Sequence, residues 1–298
     1  MAKLSKISKS KLTKGISFSE NRETFLMNMC KKSTTSNMQE DRAAFEAWAL
    51  YAISAGYKKV ILSEQDFSGK LSAAEILHYN RFLYRVLQFT KGFEWFSVSD
   101  NLNKKISTFE NTFLLKKDLM VNIPSKRAKS DTDNPEAKIE RLLISKEKLT
   151  FMNNMLALNI EKYYNQLPVG LFSEKVARET QIFPGRKAAI DIWGIDGNLF
   201  HLIELKVKEN KSLGVLSEIF FYANFINDMF CKRRLERVKT TRIRGFNKLI
   251  EANIKYVIVY ILTEDIHPEL NKLFTILQQC KTEKILFKNV VEYSQSAL

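Results

Sequence analysis

Two alternating runs, AAIDIWGI (188–195) and NLFHLIELKV (198–207), flank the dipeptide Asp196-Gly197. Alternation of period two marks half-buried strands, and Asp-Gly between such runs is a strong hairpin signal, since both central positions of a type I′ turn want positive φ. With that turn, Ile195 faces Asn198, Asp191 lies opposite Leu202, and Ala189 opposite Glu204. One face then carries Ile190, Ile192, Leu199, His201, Ile203, Leu205 and Val207. The other carries three charged residues, Asp191, Glu204 and Lys206, among Trp193, Phe200 and Leu202. Asp191 becomes the diagonal neighbour of Glu204, about 7–8 Å away. A slip of one residue would part them.

The pattern elsewhere predicts a helical region from about Pro135 to Gln166, a strand KVARETQIF (175–183), the hairpin, and a helix from about Leu213 to Phe230. After these come a strand KYVIVYIL (255–262), a helix from Pro268 to Gln279, and a last strand KILFKNVV (284–291). KYVIVYIL is apolar on both faces, as suits a strand between helix layers. The order α-β-β-β-α-β-α-β implies an α/β domain with a mixed sheet flanked by helices.

Upstream, DRAAFEAWALYAISAG reads as a helix stopped by Gly56, YKKVIL as a strand, and Ser72 with Glu75 as a capping box opening a helix to about Thr90. FEWFSV and NTFLL read as further strands, giving a smaller α+β unit. The aromatics Tyr79, Phe82, Tyr84 and Phe89 recur at helical spacing and read as packing, with His78 a structural histidine beside them. Residues 126–138 are polar and free of apolar period, so the expected organisation is an accessory unit 1–125, a linker 126–138 and a second domain 139–298.

Composition narrows the class. A chain of 298 residues that is 45% hydrophobic can bury a substantial core. No apolar run of membrane-spanning length appears, and the basic N-terminus has no apolar segment behind it, so neither a membrane anchor nor a secretory signal is expected. That acid-free, Ser/Lys-rich start shares composition with organellar transit peptides but reads first as a basic tail. Three scattered cysteines suggest neither disulfides nor a zinc site, which points to a reducing, cytoplasmic setting. A net charge of +14, shared by both halves, points to a polyanionic partner.

Two carboxylates and a lysine on one strand face suit phosphodiester hydrolysis. The carboxylates offer hard oxygens to Mg²⁺ or Mn²⁺, and a neighbouring lysine balances their charge and orients or helps deprotonate a water. A lone E-x-K in a strand is ordinarily a solvated ion pair. Here an aspartate shares its face and a helix follows to close the site. The segment GRKAAIDIWGIDGNLFHLIELKV resembles the PD-(D/E)xK nuclease superfamily, particularly its RecB-like and archaeal-type endonuclease branches. The resemblance covers about 136–262 and leaves the first 125 residues outside it.

It implies a restriction-endonuclease-like α-β-β-β-α-β core, Asp191 and Glu204 as metal ligands and Lys206 as the catalytic lysine. The proline of the family name is absent, since Ala189 and Ile190 precede Asp191. The Gln-x-x-x-Tyr of several branches corresponds to Glu218-Ile-Phe-Phe-Tyr222, with the tyrosine kept and the glutamine replaced. Many members add an acid from the first core helix. Glu140, Glu147 and Glu161 are the candidates, and Glu161 fits that spacing best, with an exposed helix glutamate as the plain alternative. Glu179 is a weaker one.

The run CKRRLERVKTTRIRGFNK (231–248) holds eight basic residues and one acid. Lys232, Arg233, Arg234, Arg237, Lys239, Arg242, Arg244 and Lys248 are expected to meet a phosphate backbone at the edge of the site. No zinc finger, Walker sequence or GxSxG elbow is present. The expectation is a Mg²⁺- or Mn²⁺-dependent deoxyribonuclease serving repair, restriction or mobile elements, with DNA ahead of RNA and a homodimer or partner protein possible. The alternative is an idle nucleic-acid-binding copy of the same fold.

Overall fold

The computed structural model describes residues 13–67, 69–116, 118–125, 134–185, 188–207, 212–235, 240–265 and 268–294. It is an α/β structure built on two principal sheets flanked by helices. In the first unit, the hairpin β1 (Ile16–Asn21) and β2 (Thr24–Met29) leads through a short helix α1 (Lys31–Thr34) to α2 (Phe45–Ser54), β3 (Lys59–Glu64), α3 (Ala73–Gly92), β4 (Phe96–Val98) and α4 (Asp100–Phe109). The sheet order is β1-β2-β3-β4, antiparallel at the hairpin and parallel thereafter. The capping box forms as expected: Ser72 accepts from the Glu75 amide while the Glu75 carboxylate reaches back to the Ser72 amide at 2.7 Å. NTFLL, expected as a strand, is instead a π-helical continuation of α4 over Glu110–Leu114, because Leu114 completes the buried stripe of Leu102, Ile106 and Phe109 on that helix.

A short strand β5 (Leu119–Val121) then crosses into the second unit, where it pairs with β7 (Leu171–Ser173). The expected linker falls largely on residues outside the description, and it ends by Asn134, whose side chain caps α5 (Pro135–Leu143). The helical region expected to reach Gln166 is two helices, α5 and α6 (Leu149–Leu156). Ala157, at φ +52, ends α6, and Asn153 takes over the freed backbone by bonding Ile160 in both directions. The chain turns at once into β6 (Tyr163–Pro168), so the first strand of this sheet is YYNQLP rather than KVARETQIF. The latter segment forms a 3-10 turn at Arg178–Thr180, since its charged positions have no apolar alternation to bury.

β8 (Ala189–Asp196) and β9 (Leu199–Lys206) form the predicted hairpin, followed by α7 (Gly214–Ile226), α8 (Phe246–Glu251), β10 (Tyr256–Thr263), α9 (Leu270–Leu277) and β11 (Ile285–Glu292). The sheet order is β11-β10-β9-β8-β6, with β9, β10 and β11 parallel and β8 antiparallel to both neighbours. The hairpin register differs from expectation. Asp196 pairs with Leu199 and Ile192 with Ile203, so the turn is Gly197-Asn198. Gly197 alone of the two has positive φ, +56, which is the demand of a II′ turn rather than I′. A shift of two residues preserves the faces. It also brings Asp191 directly opposite Glu204 instead of diagonal to it.

Both faces of this sheet are covered. Ile192, Ile203, Leu205 and Val207 pack with Ile139, Leu143, Met152 and Leu156 of α5 and α6. On the other face, Trp193, Phe200 and Leu202 join a cluster that runs through α7 and on into α2, α3 and β3 of the first unit. Phe89 meets Phe220 at 5.1 Å and Tyr84 meets Phe221 at 5.8 Å across that boundary. The two sheets therefore share one core, with α7 buried along its whole length between them.

Candidate active site

α7 crosses over from β9 to β10 and lies on the charged face of the hairpin. Its residues Glu218 and Tyr222, one turn apart, share the helix side that meets β9. Lys206 Nζ lies 2.6 Å from Glu204 Oε1 and 3.2 Å from Glu218 Oε2. Tyr222 donates to Glu218 at 3.2 Å, and Asp191 accepts the Leu205 amide at 3.1 Å. Asp191, Glu204, Lys206, Glu218 and Tyr222 thus come together as the sequence suggests, and Glu204, Lys206, Glu218 and Tyr222 are all buried.

Glu161 does not join them. It lies exposed in the link between α6 and β6, because α6 stops before it. The first-helix acids that do approach are Glu136 and Glu140, one turn apart on α5. Burial pushes the Glu136 carboxyl up to about 7, with Asp191 and Glu218 adding to the rise against Lys206. Burial likewise pushes Glu140 up to about 7, reinforced by Asp191, although side-chain donors from Asn165 and Gln166 hold it down. Gln166 sits in β6 alongside Asp191 with φ +51, a strained conformation for a non-glycine residue, and its amide reaches Glu140 at 2.6 Å. Glu140 was among the sequence candidates and Glu136 was not; its i,i+4 spacing from Glu140 on the first helix is the signal that could have found it. Spacing to the first strand pointed to Glu161 only because that strand was placed too late.

The electrostatics follow from crowding. Burial raises both Asp191 and Glu204, Glu204 well above the carboxylate range, and the two carboxyls and Glu218 repel one another. Burial would lower the Lys206 ammonium, but Glu204, Glu218, Asp191 and Glu136 around it hold it well above its ordinary value. The surrounding acids thus favour the charged form of Lys206. Glu204 Oε2 and Glu136 Oε1 are buried with no hydrogen-bond partner. Five carboxyl groups share one contacting lysine, with Arg244 and Arg81 acting only from a distance on Glu140 and Glu218, which leaves negative charge for protons or a further cation to balance.

The N-terminal unit also reaches this site, which nothing in the sequence signalled. Gln39 donates its side-chain amide to Glu218. Ser212, just before α7, bonds Asp41 at 2.8 Å, and a Cβ on Gly214 would come within 2.4 Å of the Gln39 carbonyl oxygen. Glycine at the start of α7 is what lets the loop 37–41 lie against it.

The basic run divides. Arg242, Arg244 and Lys248 line a cavity of 640 Å³ together with Lys162, Tyr164 and Asn165. Gly245, at φ +70, closes its wall, where any Cβ would collide with the Tyr164 ring. Arg244 bonds the Gln166 carbonyl at 3.5 Å and feels Glu140, so this cavity borders the acid cluster. Lys232 is held by Asp228 at 2.7 Å, Arg233 by Asn253 at 2.9 Å, and Arg234 lies within electrostatic range of Tyr84. These three belong to the end of α7 rather than the cavity. Arg237 and Lys239 lie outside the described residues.

Other expectations resolve simply. His201 is buried on the apolar face, stacked 6.1 Å from Tyr260, and burial pulls it down to about 4, so it is a neutral core residue. Cys30, Cys231 and Cys280 are free. No described helix is long and apolar enough to cross a membrane. Among the described residues no set of three or more His, Cys, Asp or Glu side chains is arranged around a single metal position. The unpartnered oxygens of Glu204 and Glu136 nonetheless suit a hard cation, with Asp191 opposite Glu204 in the hairpin and within electrostatic range of Glu136.

Fold and site define an α/β protein with a buried carboxylate–lysine cluster at the join of a hairpin and its crossover helix. No family model, curated protein or solved structure matches the chain.

Proposed function

We propose that this protein is a metal-dependent nuclease of the PD-(D/E)xK type, hydrolysing DNA. The observation that carries the reading is the convergence of Asp191 and Glu204 from facing strands with Lys206 two residues on, closed by Glu218 and Tyr222 of the next helix. The element order supports it too: helix, β6, β8, β9, crossover helix, then β10 parallel to β9.

Asp191 and Glu204 would hold Mg²⁺ or Mn²⁺, with Glu136 or Glu140 taking the place expected of Glu161. When bound, such an ion lowers the pKa of water and polarises a phosphate oxygen. Lys206, kept charged by its neighbours, donates to the negative oxygens of the phosphate and holds its place through Glu204 and Glu218. Tyr222 and Gln39 fix the Glu218 carboxylate, which in turn fixes Lys206. Arg242, Arg244, Lys248 and Lys162 draw in the phosphate backbone beside the cluster.

The test is cleavage of supercoiled and linear DNA with Mg²⁺ or Mn²⁺ by wild type, Asp191→Ala and Lys206→Ala. Cutting by wild type alone, with DNA binding kept in both variants, supports the proposal. Binding without cutting by all three would leave an idle nucleic-acid-binding protein.

A further inference from the structure

Arg81 is a buried guanidinium with no carboxylate in direct contact: burial and Arg85 pull it down to about 10, and Glu218 and Glu46 offset this only from a distance. It is 3% exposed, on the inward face of α3, yet no carboxylate among the described residues lies within ion-pair distance of it. One turn later, Arg85 is equally buried and fully matched by Glu46. Both hydrogen bonds described for Arg81 leave from Nη2, to Asn37 Oδ1 at 3.1 Å and His78 Nδ1 at 3.0 Å. Among the described residues Nε and Nη1 have no hydrogen-bond partner, and the Phe221 ring covers one side of the group at 5.8 Å. A cation taken out of water in this way costs several kcal/mol unless an anion meets it.

The space in front of Arg81 is a cleft of 490 Å³. That lies within the ~300–1,000 Å³ of ordinary small-ligand sites. Its walls are the α3 face with Leu77 and His78, the loop with Met38 and Gln39, the segment with Pro184, and Tyr222. His78, lowered to about 4 by burial and by Arg81, is neutral and accepts from the guanidinium, so it orients Arg81 without supplying the missing charge. Glu40 also borders the cleft, but Arg42 engages it at 2.7 Å. Tyr222 and Gln39 both bond Glu218 on their far side, so the cleft and the acid cluster share a wall.

We propose that this cleft is a nucleotide subsite: it takes one nucleotide of the substrate strand next to the bond that is cut, the phosphate on Arg81 and the base against Leu77, Met38 and Pro184. A planar guanidinium with free N–H groups suits a phosphate's paired oxygens, and the apolar walls suit a base that has left its stack. The strand would then enter between the two units, and the first unit would be part of the binding surface rather than an appendage. The assignment of the bound strand as substrate rests on the nuclease reading; the pocket itself does not.

The experiment is calorimetric titration of the full chain, in EDTA, with a deoxynucleoside 5′-monophosphate and separately with inorganic phosphate. The proteins are wild type, Asp191→Ala, Arg81→Gln and Leu77→Glu, each checked for native folding by circular dichroism. Leu77→Glu covers the case in which Arg81→Gln fails to fold, since it places an acid at the cleft wall. Saturable mononucleotide binding by wild type and Asp191→Ala is expected, weakened at least ~10-fold in either cleft variant. Phosphate binding as tightly as the mononucleotide would overturn the base contact. No saturable binding by folded wild type would overturn the subsite even if the protein cuts DNA. Mononucleotide binding by a wild type that cuts nothing would keep the subsite and remove the nuclease.

Discussion

Two groups of buried charge meet α7 at neighbouring residues, Ser217 and Glu218, and they are built differently. In one, Arg85 and Glu46 form a matched pair, with Ser217 donating to Glu46 at 2.7 Å and Arg85 donating to the Ala43 carbonyl at 2.9 Å. Each charge there has its counter-charge and each oxygen a donor. In the other, beginning at the next residue, Glu218, four carboxyls act on one lysine and a fifth, Glu140, lies beside Asp191; two of their oxygens have no partner among the described residues, and burial raises four of the five. A balanced buried pair fastens two parts of a fold together. An unbalanced one is a standing demand for a cation, and that is the property expected of a site rather than of a joint.

Several experiments can break this contrast. The largest effect is expected on activity: Glu204→Gln or Asp191→Ala should lower cleavage by about 10²–10³-fold or more, with DNA binding kept in a filter assay. In urea denaturation the order reverses. Arg85→Met should cost about 3–5 kcal/mol by stranding Glu46, whereas Glu204→Gln should leave stability unchanged or raised, since it removes a desolvated, repelled charge. Equal losses from the two would show that the acid cluster is a joint after all.

Acidification gives a third test. His201 titrates near 6.5 unfolded and at about 4 folded, so the unfolded chain binds its proton first. Stability from this residue is present above pH 6.5 and is lost as pH falls toward 4, by on the order of 3 kcal/mol. Glu136 and Glu140, raised when folded, act in the opposite sense, so the quantity to measure is the difference between wild type and His201→Phe across pH 7.5 to 4.5. A difference that does not change with pH would mean that His201 is hydrated. Smaller again, Mg²⁺ or Mn²⁺ should raise the melting temperature by roughly 2–4 °C per ~1 kcal/mol of binding, and Glu204→Gln should abolish the shift while Arg85→Met keeps it. Glu161→Ala should change neither stability by more than about 0.5 kcal/mol nor cleavage.

Much of the site was legible along the chain because it lies in a hairpin. Period two places Asp191, Glu204 and Lys206 on one face whichever even register the turn selects, so a misjudged turn moved the partner of Asp191 without parting the three. The i,i+4 spacing of Glu218 and Tyr222 is equally local. The misreadings arose where local preference is weak. YYNQLP has no strict alternation, and it becomes a strand because β8 offers it an edge. NTFLL has strand propensity, but the buried stripe of α4 extends through it.

Sequence by itself determined the elements whose pattern repeats over a few residues: the hairpin face, the capped α3 and the helix α7. Tertiary structure alone decided that Gln39 reaches Glu218, that Arg242 and Arg244 part company with Lys232 and Arg233, and that Arg81 has no contacting carboxylate where Arg85 has one. Those outcomes depend on contacts between segments tens to hundreds of residues apart, and side-chain periodicity carries no information about which distant segment will be brought alongside.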